Sequence, residues 1–191
     1  MSWLKKYKSD IVFGVVAILL FAFFFSPLWS NLYNYLISLS LKAPNIEKHI
    51  VSEENFYFDH DWTVYRTDGS EFSIQETEKP IFINFFATWC SPCVSEFPSI
   101  VELYKQFKNK VEFIIVSPDE ELSKIKKFEA YHNFSLPFYS SNSTLPYGIS
   151  INSYPTTYLI DKNKKMILEI KGAHDWNSKN VANFLNRLIK E

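Results

Sequence analysis

The chain has 191 residues, 47% apolar and 21% charged, with a net charge of −1. That balance fits a folded chain and excludes a basic field for drawing in nucleic acid. Only 4 glycines and no Gly-rich motif exclude a phosphate-cradling loop, while 18 Phe and 11 Tyr call for a Phe-heavy core.

The first element is an apolar run. Ile11 to Phe25 is uninterrupted, and Ser26-Pro27-Leu28-Trp29 extends it to about the 20 residues that cross a bilayer as a helix. The pattern predicts a transmembrane helix over residues 11–29. Lys5, Lys6 and Lys8 precede it against Asp10 alone, and the next basic residue is Lys42. Residues 1–10 are therefore expected in the cytoplasm and the rest of the chain outside it, with Trp3 and Trp29 at the interfaces. A cleaved signal peptide would want small residues where Phe23-Phe24-Phe25-Ser26-Pro27 stands, and a lipoprotein would want a cysteine after the run. A buried core helix seldom runs so long without a polar residue.

Residues 30–54 read as a juxtamembrane helix extension and a linker. Leu32, Tyr35, Leu36 and Leu39 recur at helical spacing, whereas Lys42 to Glu54 holds Pro44, mixed charge and no period. The extension either continues the membrane helix or lies along the surface, with no role of its own. The folded domain is expected over 55–191. Trp62–Arg66 and Glu71–Ile74 flank Asp68-Gly69, a hairpin signal. Ile81–Phe86 is a continuous apolar strand, buried on both faces. A helix over Val94–Lys108 turns Val94, Phe97, Val101, Tyr104 and Phe107 inward, with Pro98 inside it. Val111–Val116 is a second buried strand. Ser117-Pro118-Asp119-Glu120 reads as the cap of a helix reaching His132, with Leu122, Ile125 and Phe128 inward. Thr156–Ile160 and Met166–Ile170 form an antiparallel hairpin around Asp161–Lys164. A last helix, Ser178–Lys190, faces the sheet through Val181, Phe184, Leu185 and Leu188. The order is an added N-terminal hairpin, then β-α-β-α, then β-β-α. It predicts an α/β fold with a central mixed sheet flanked by helices.

The chemistry gathers at Trp89-Cys90-Ser91-Pro92-Cys93, which holds the only two cysteines. Two cysteines within one turn close too small a loop to stabilise a fold much. At the junction of a buried strand and a helix they are built for disulfide exchange. The attacking species is a thiolate, and unpaired N–H groups with the helix dipole stabilise that charge at Cys90. Half a zinc site is the first alternative, but no second CxxC or paired-histidine spacing follows. Covalent haem attachment would want histidine after Cys93, where Val94 stands. No metal is expected.

These residues resemble the thioredoxin superfamily, and within it the TlpA-like membrane-anchored thiol–disulfide oxidoreductases. The resemblance rests on Phe86-Ala87-Thr88-Trp89-Cys90-Ser91-Pro92-Cys93, Glu96-Phe97-Pro98, Ser117-Pro118-Asp119-Glu120, and Tyr154-Pro155-Thr156-Thr157 before Leu159-Ile160-Asp161. It implies a thioredoxin-like fold after an N-terminal transmembrane helix, and no cofactor beyond a redox-active Cys90–Cys93 disulfide. It implies that an exposed Cys90 attacks first and a more buried Cys93 resolves the mixed disulfide. Ser91 and Pro92 tune the potential, and their neutral pair resembles the reducing thioredoxins. General thioredoxins carry a buried acid where this chain has Asn84, and the TlpA-like pattern puts it at Glu96, expected as a partly buried proton acceptor for Cys93. Pro155 is expected cis beside the dithiol, with Trp89 and Tyr154 as apolar walls for an extended protein substrate.

The implied partners are oxidised protein substrates, such as apocytochromes c before haem attachment, and a membrane-embedded thiol reductant donor. The implied location is the cytoplasmic membrane, single-pass, with the domain outside. Two positions depart from the pattern: Asn163-Lys164, where relatives often place glycine, and the polar stretch Asn142-Ser143-Thr144-Leu145-Pro146, where they tend to carry an acid. A peroxiredoxin-like thiol peroxidase shares the fold but would want threonine where Ala87 stands. A non-catalytic thioredoxin-like binding module would not need both cysteines.

Overall fold

The computed structural model describes residues 2–24, 26–51, 57, 62–118, 121–141, 145–146 and 148–191, with side chains from residue 11 onward. The side chains of Trp3, Lys5, Lys6, Lys8 and Asp10, the domain boundary near Asn55, the cap residues Asp119 and Glu120, and Asn142–Thr144 lie outside the described residues. In chain order the elements are α1 (Ser2–Phe24), α2 (Pro27–Ser40), β1 (Thr63–Arg66), β2 (Glu71–Ser73), β3 (Ile81–Phe85), α3 (Ser91–Phe107), β4 (Glu112–Ser117), α4 (Leu122–His132), β5 (Phe138–Ser140), β6 (Thr156–Ile160), β7 (Met166–Lys171) and α5 (Lys179–Leu188).

The seven strands form one mixed sheet in the order β2-β1-β5-β4-β3-β6-β7. β3 lies inside it, parallel to β4 and antiparallel to β6, and all its residues are buried. β3, β4 and β5 step across the sheet in one direction. Right-handed crossovers between successive parallel strands then put both connecting helices, α3 and α4, on the same face. Both pack with α5 into one apolar cluster that includes Phe82, Phe97, Phe113, Phe128 and Leu185. Among the described residues the other face is covered mainly by Trp62, Ile74 and Ile149 rather than by an α-helix.

Sequence expectations change in several places. β5 has no signal of its own in the sequence: it is only three residues long, follows Pro137 and ends in serine. It carries the added hairpin, since β1 pairs antiparallel with it through Tyr65↔Ser140 and Arg66↔Tyr139. β4 runs on through Ser117, which is buried in the strand, so it does not cap a helix. α4 begins at Leu122, after Glu121, which makes no side-chain cap bond. Finally, the stretch read as linker packs onto the domain. Ile46 is buried in the core, and Val51 N–H donates to the Ile167 carbonyl at 3.0 Å.

The apolar N-terminal run breaks at Ser26. Its hydroxyl accepts the Trp29 N–H, and Pro27 opens α2, where a missing N–H costs nothing. Among the described residues no single helix is long and apolar enough to cross a membrane. Ile11–Phe24 and Pro27–Ser40, bent by 55°, meet that measure only as a pair.

Candidate active site

Strand β3 delivers Phe86 and Ala87, both fully buried, to the edge of the sheet. The chain turns there, with the Cys90 N–H donating to the Ala87 carbonyl at 3.0 Å. Cys90 is the N-cap of α3, so the helix begins at Ser91, three residues before the position expected from periodicity. Its sulfur accepts the Cys93 N–H at 3.3 Å. This is the anion-stabilising position of a helix N-terminus. Cys90 and Cys93 are joined as a disulfide, with Cα atoms 5.3 Å apart.

The resemblance implied an exposed Cys90, and the structure differs. In the disulfide form Cys90 is 4% exposed and Cys93 fully buried. Both residues belong to the apolar cluster of Phe86, Ala87 and Phe97. The exposed aromatic of the motif is Trp89, at 73%. It packs edge-on against Tyr154 with ring centroids 5.9 Å apart, so the two aromatic residues stand together. The Tyr154–Pro155 bond is cis, Pro155 is buried, and its carbonyl accepts the Gly172 N–H at 2.8 Å. Pro92 is exposed and Ser91 half-buried.

Glu96 lies one turn beyond Cys93 on α3 and is fully buried, where the sequence implied partial burial. Its Oε1 accepts the Asn84 side-chain amide at 2.8 Å. Its Oε2 accepts the Trp176 indole N–H at 3.0 Å and the His174 backbone N–H at 3.1 Å. Burial pushes its pKa from 4.5 to about 7, against the opposing pull of these three donors. A carboxyl there is poised to give or take a proton at neutral pH. Asn84 also donates to Thr157 Oγ1 at 2.9 Å, tying the acid to β6, while its own side-chain carbonyl is buried without a partner.

Three contributors carry no signal in the sequence. His174 and Trp176 reach Glu96 from a loop far along the chain, and no periodicity relates them. Asn34 of α2 accepts the Ser91 hydroxyl at 2.6 Å, a contact between α2 and the dithiol motif itself. The segment after α2 is also fastened beside the acid. The Lys42 carbonyl accepts the Asp175 N–H at 3.0 Å, and His174 Nδ1 lies 3.3 Å from it. Among the described residues no group of three or more His, Cys, Asp or Glu is arranged to hold a metal.

Comparison with known proteins agrees with this geometry. The chain is similar to a thiol-disulfide oxidoreductase ResA of Bacillus cereus, 34% identical over 108 residues, which cover 55% of this chain and 62% of that protein. The match to ResA of Oceanobacillus iheyensis is longer, 28% identical over 172 residues, or 87% of this chain and 81% of the relative. The chain thus spans 62% of the length of the first curated relatives it matches. Among solved structures, a thiol:disulfide interchange protein of the thioredoxin family from Chlorobium tepidum TLS superposes with a TM-score of 0.52 at 25% identity, covering 72% of this chain and 97% of that one. A family model described as Redoxin matches residues 42–187, which takes in every strand, the dithiol and Glu96, and on that match the chain belongs to the Redoxin family.

Proposed function

We propose that the chain is a membrane-tethered thiol–disulfide oxidoreductase that reduces disulfides of protein substrates outside the cytoplasm. The observation that carries the reading is a CxxC pair capping α3 one turn before a fully buried carboxyl. In the reduced protein the Cys90 thiolate attacks one sulfur of a substrate disulfide. That bond breaks, a mixed disulfide forms, and the departing substrate sulfur takes a proton from solvent. Cys93 then gives its proton to Glu96 and attacks the Cys90 sulfur. The bond from Cys90 to the substrate breaks, the second substrate sulfur leaves as a thiolate and takes a proton from solvent, and the chain is left oxidised as Cys90–Cys93.

Each cycle moves two electrons to the substrate, so a dithiol donor must reduce the pair again. Outside the cytoplasm thiols tend to be oxidised, which favours a membrane-embedded donor, and a tether through α1 raises the effective concentration of both partners. Trp89 and Tyr154 form the apolar wall against which an extended substrate segment lies. The backbone before Pro155 offers it strand-like pairing. Apocytochromes c before haem attachment are one substrate class of this kind.

The test is insulin reduction with dithiothreitol as donor. Wild type accelerates it, Cys90→Ser abolishes the acceleration, and Cys93→Ser accumulates mixed disulfides with partners. Equal rates for wild type and Cys90→Ser would end the proposal.

A further inference from the structure

Helix α2 turns its faces the opposite way from a helix resting on a domain in water. It contains no acidic or basic residue in its first or last turn, and none lies between. Apart from Trp29, which packs on α1, its part-buried positions are Asn34, Ile37 and Ser38. Asn34 and Ser38, with Asn31 and Tyr35, line a cavity of about 300 Å³ against Val94, Ser95 and Pro98 of α3. Its leucines face away: Leu28, Leu32, Leu36 and Leu39 are 75%, 45%, 55% and 66% exposed. A helix bathed in water buries its leucines and turns its polar stripe outward. With Asn34 and Ser38 on the domain and the leucines outside, the outward medium of α2 is apolar, and the exposed Ser30, Asn31, Tyr33, Tyr35 and Ser40 sit at its polar border.

Chain continuity names that medium. α2 follows α1, whose side chains from Ile11 to Phe24 are apolar and exposed. The elbow between them is a bonded structure: Ser26 donates its hydroxyl to the Phe23 carbonyl at 2.7 Å, and the Trp29 ring sits edge-on to Phe23 and Phe24 at 5.6 and 4.7 Å. The two helices differ in direction by 55°. That bend turns α2 away from the direction in which α1 enters the bilayer, so Ile11–Phe24 inserts without α2 completing a span.

We infer that α2 lies in the headgroup layer of a phospholipid bilayer, leucine face toward the acyl chains, and that the Asn34–Ser91 hydrogen bond seats the Cys90–Cys93 motif upon it. The dithiol then works at the lipid surface. The inference rests on the reading of α1 as a membrane anchor. Because α2 carries no charge, its seating depends on apolar area rather than on anionic lipid.

The test uses the full chain in phosphatidylcholine nanodiscs, with Cys90→Ser and Cys93→Ser removing the native thiols. Single cysteines replace Leu19 in α1, Leu36 in α2, Pro92 in the motif, or Lys126 on the outer face of α4, each carrying an environment-sensitive fluorophore. Acyl-chain quenchers are expected to darken the probes at Leu19→Cys and Leu36→Cys and to spare Lys126→Cys. Headgroup-attached quenchers are expected to reach Pro92→Cys, several-fold less so when Asn34→Ala is added. Quenching at Leu19→Cys but not at Leu36→Cys would overturn the inference and leave the anchor standing. Quenching at neither would overturn both. An unquenched Pro92→Cys probe would overturn the seating of the motif.

Discussion

Glu96 joins three parts of the molecule through one carboxyl group: Asn84 on β3, the backbone of His174 and the indole of Trp176. Its pKa of about 7 stands above the ordinary 4.5 because burial disfavours the charge. The folded protein therefore keeps this proton at pH values where the unfolded chain has released it. The stability it contributes is whole below about pH 4.5 and is lost as pH rises to 7, a change on the order of 3 kcal/mol. Urea unfolding of the oxidised protein across that window is expected to show the decline, and Glu96→Gln to flatten it. Trp176→Phe removes a donor that holds the pKa down, so carboxyl NMR should place Glu96 above its wild-type value. An unchanged or lower value would count against the indole bond. In turnover, a protein that needs Glu96 to take the Cys93 proton loses its inflection near neutral pH when Glu96→Gln is introduced, while Cys90 alkylation persists. Glu96 was singled out in the sequence by the TlpA-like resemblance, which places an acid one helical turn from Cys93. Its donors were not, since they come from a distant loop. Full burial of the carboxyl, and near-burial of Cys90, depend on how Phe86 and Phe97 close over the start of α3, which no local pattern encodes.

Elements with strong periodicity or strong caps are legible in the sequence. α5 shows Val181, Phe184, Leu185 and Leu188 all buried, as their spacing requires, and Ser178 caps it by accepting the Val181 N–H at 3.3 Å. Ser178→Ala is expected to cost about 1 kcal/mol, measured as a lower urea midpoint at unchanged slope. Elements whose signal is short or borrowed are not. β5 has three residues and owes its existence to β4 and β1 on either side. The Ser-Pro-Asp-Glu pattern carries a sound capping logic, yet the pairing of Ser117 with Ser140 makes its serine the last residue of β4. The β6–β7 turn shows how a glycine position is filled without glycine. Lys164 adopts φ 66°, in the left-handed region, and its ammonium bonds to the Thr77 carbonyl.

At the scale of the whole molecule, the two apolar clusters that hold the sheet contain, among the described residues, no buried residue before Ile46. A chain beginning at Leu41 is therefore expected to fold with a melting temperature within a few degrees of the full protein and to reduce insulin in solution. Circular dichroism melts and the insulin assay check both. A collapse of the melt would mean that α2 contributes to the core. The mixed sheet was legible because the alternation of strands and helices ends in the antiparallel hairpin of Thr156–Ile160 and Met166–Ile170. The placement of α3, α4 and α5 in one layer was not, because it follows from the direction in which successive strands are added. The Lys42 carbonyl meets the backbone of Asp175, next to the His174 amide that solvates Glu96. Mechanical load drawn along the tether thus arrives at this short stretch before it reaches any strand. The proposed tether and the donor that holds the Glu96 carboxyl meet in two adjacent residues, Asp175 and His174.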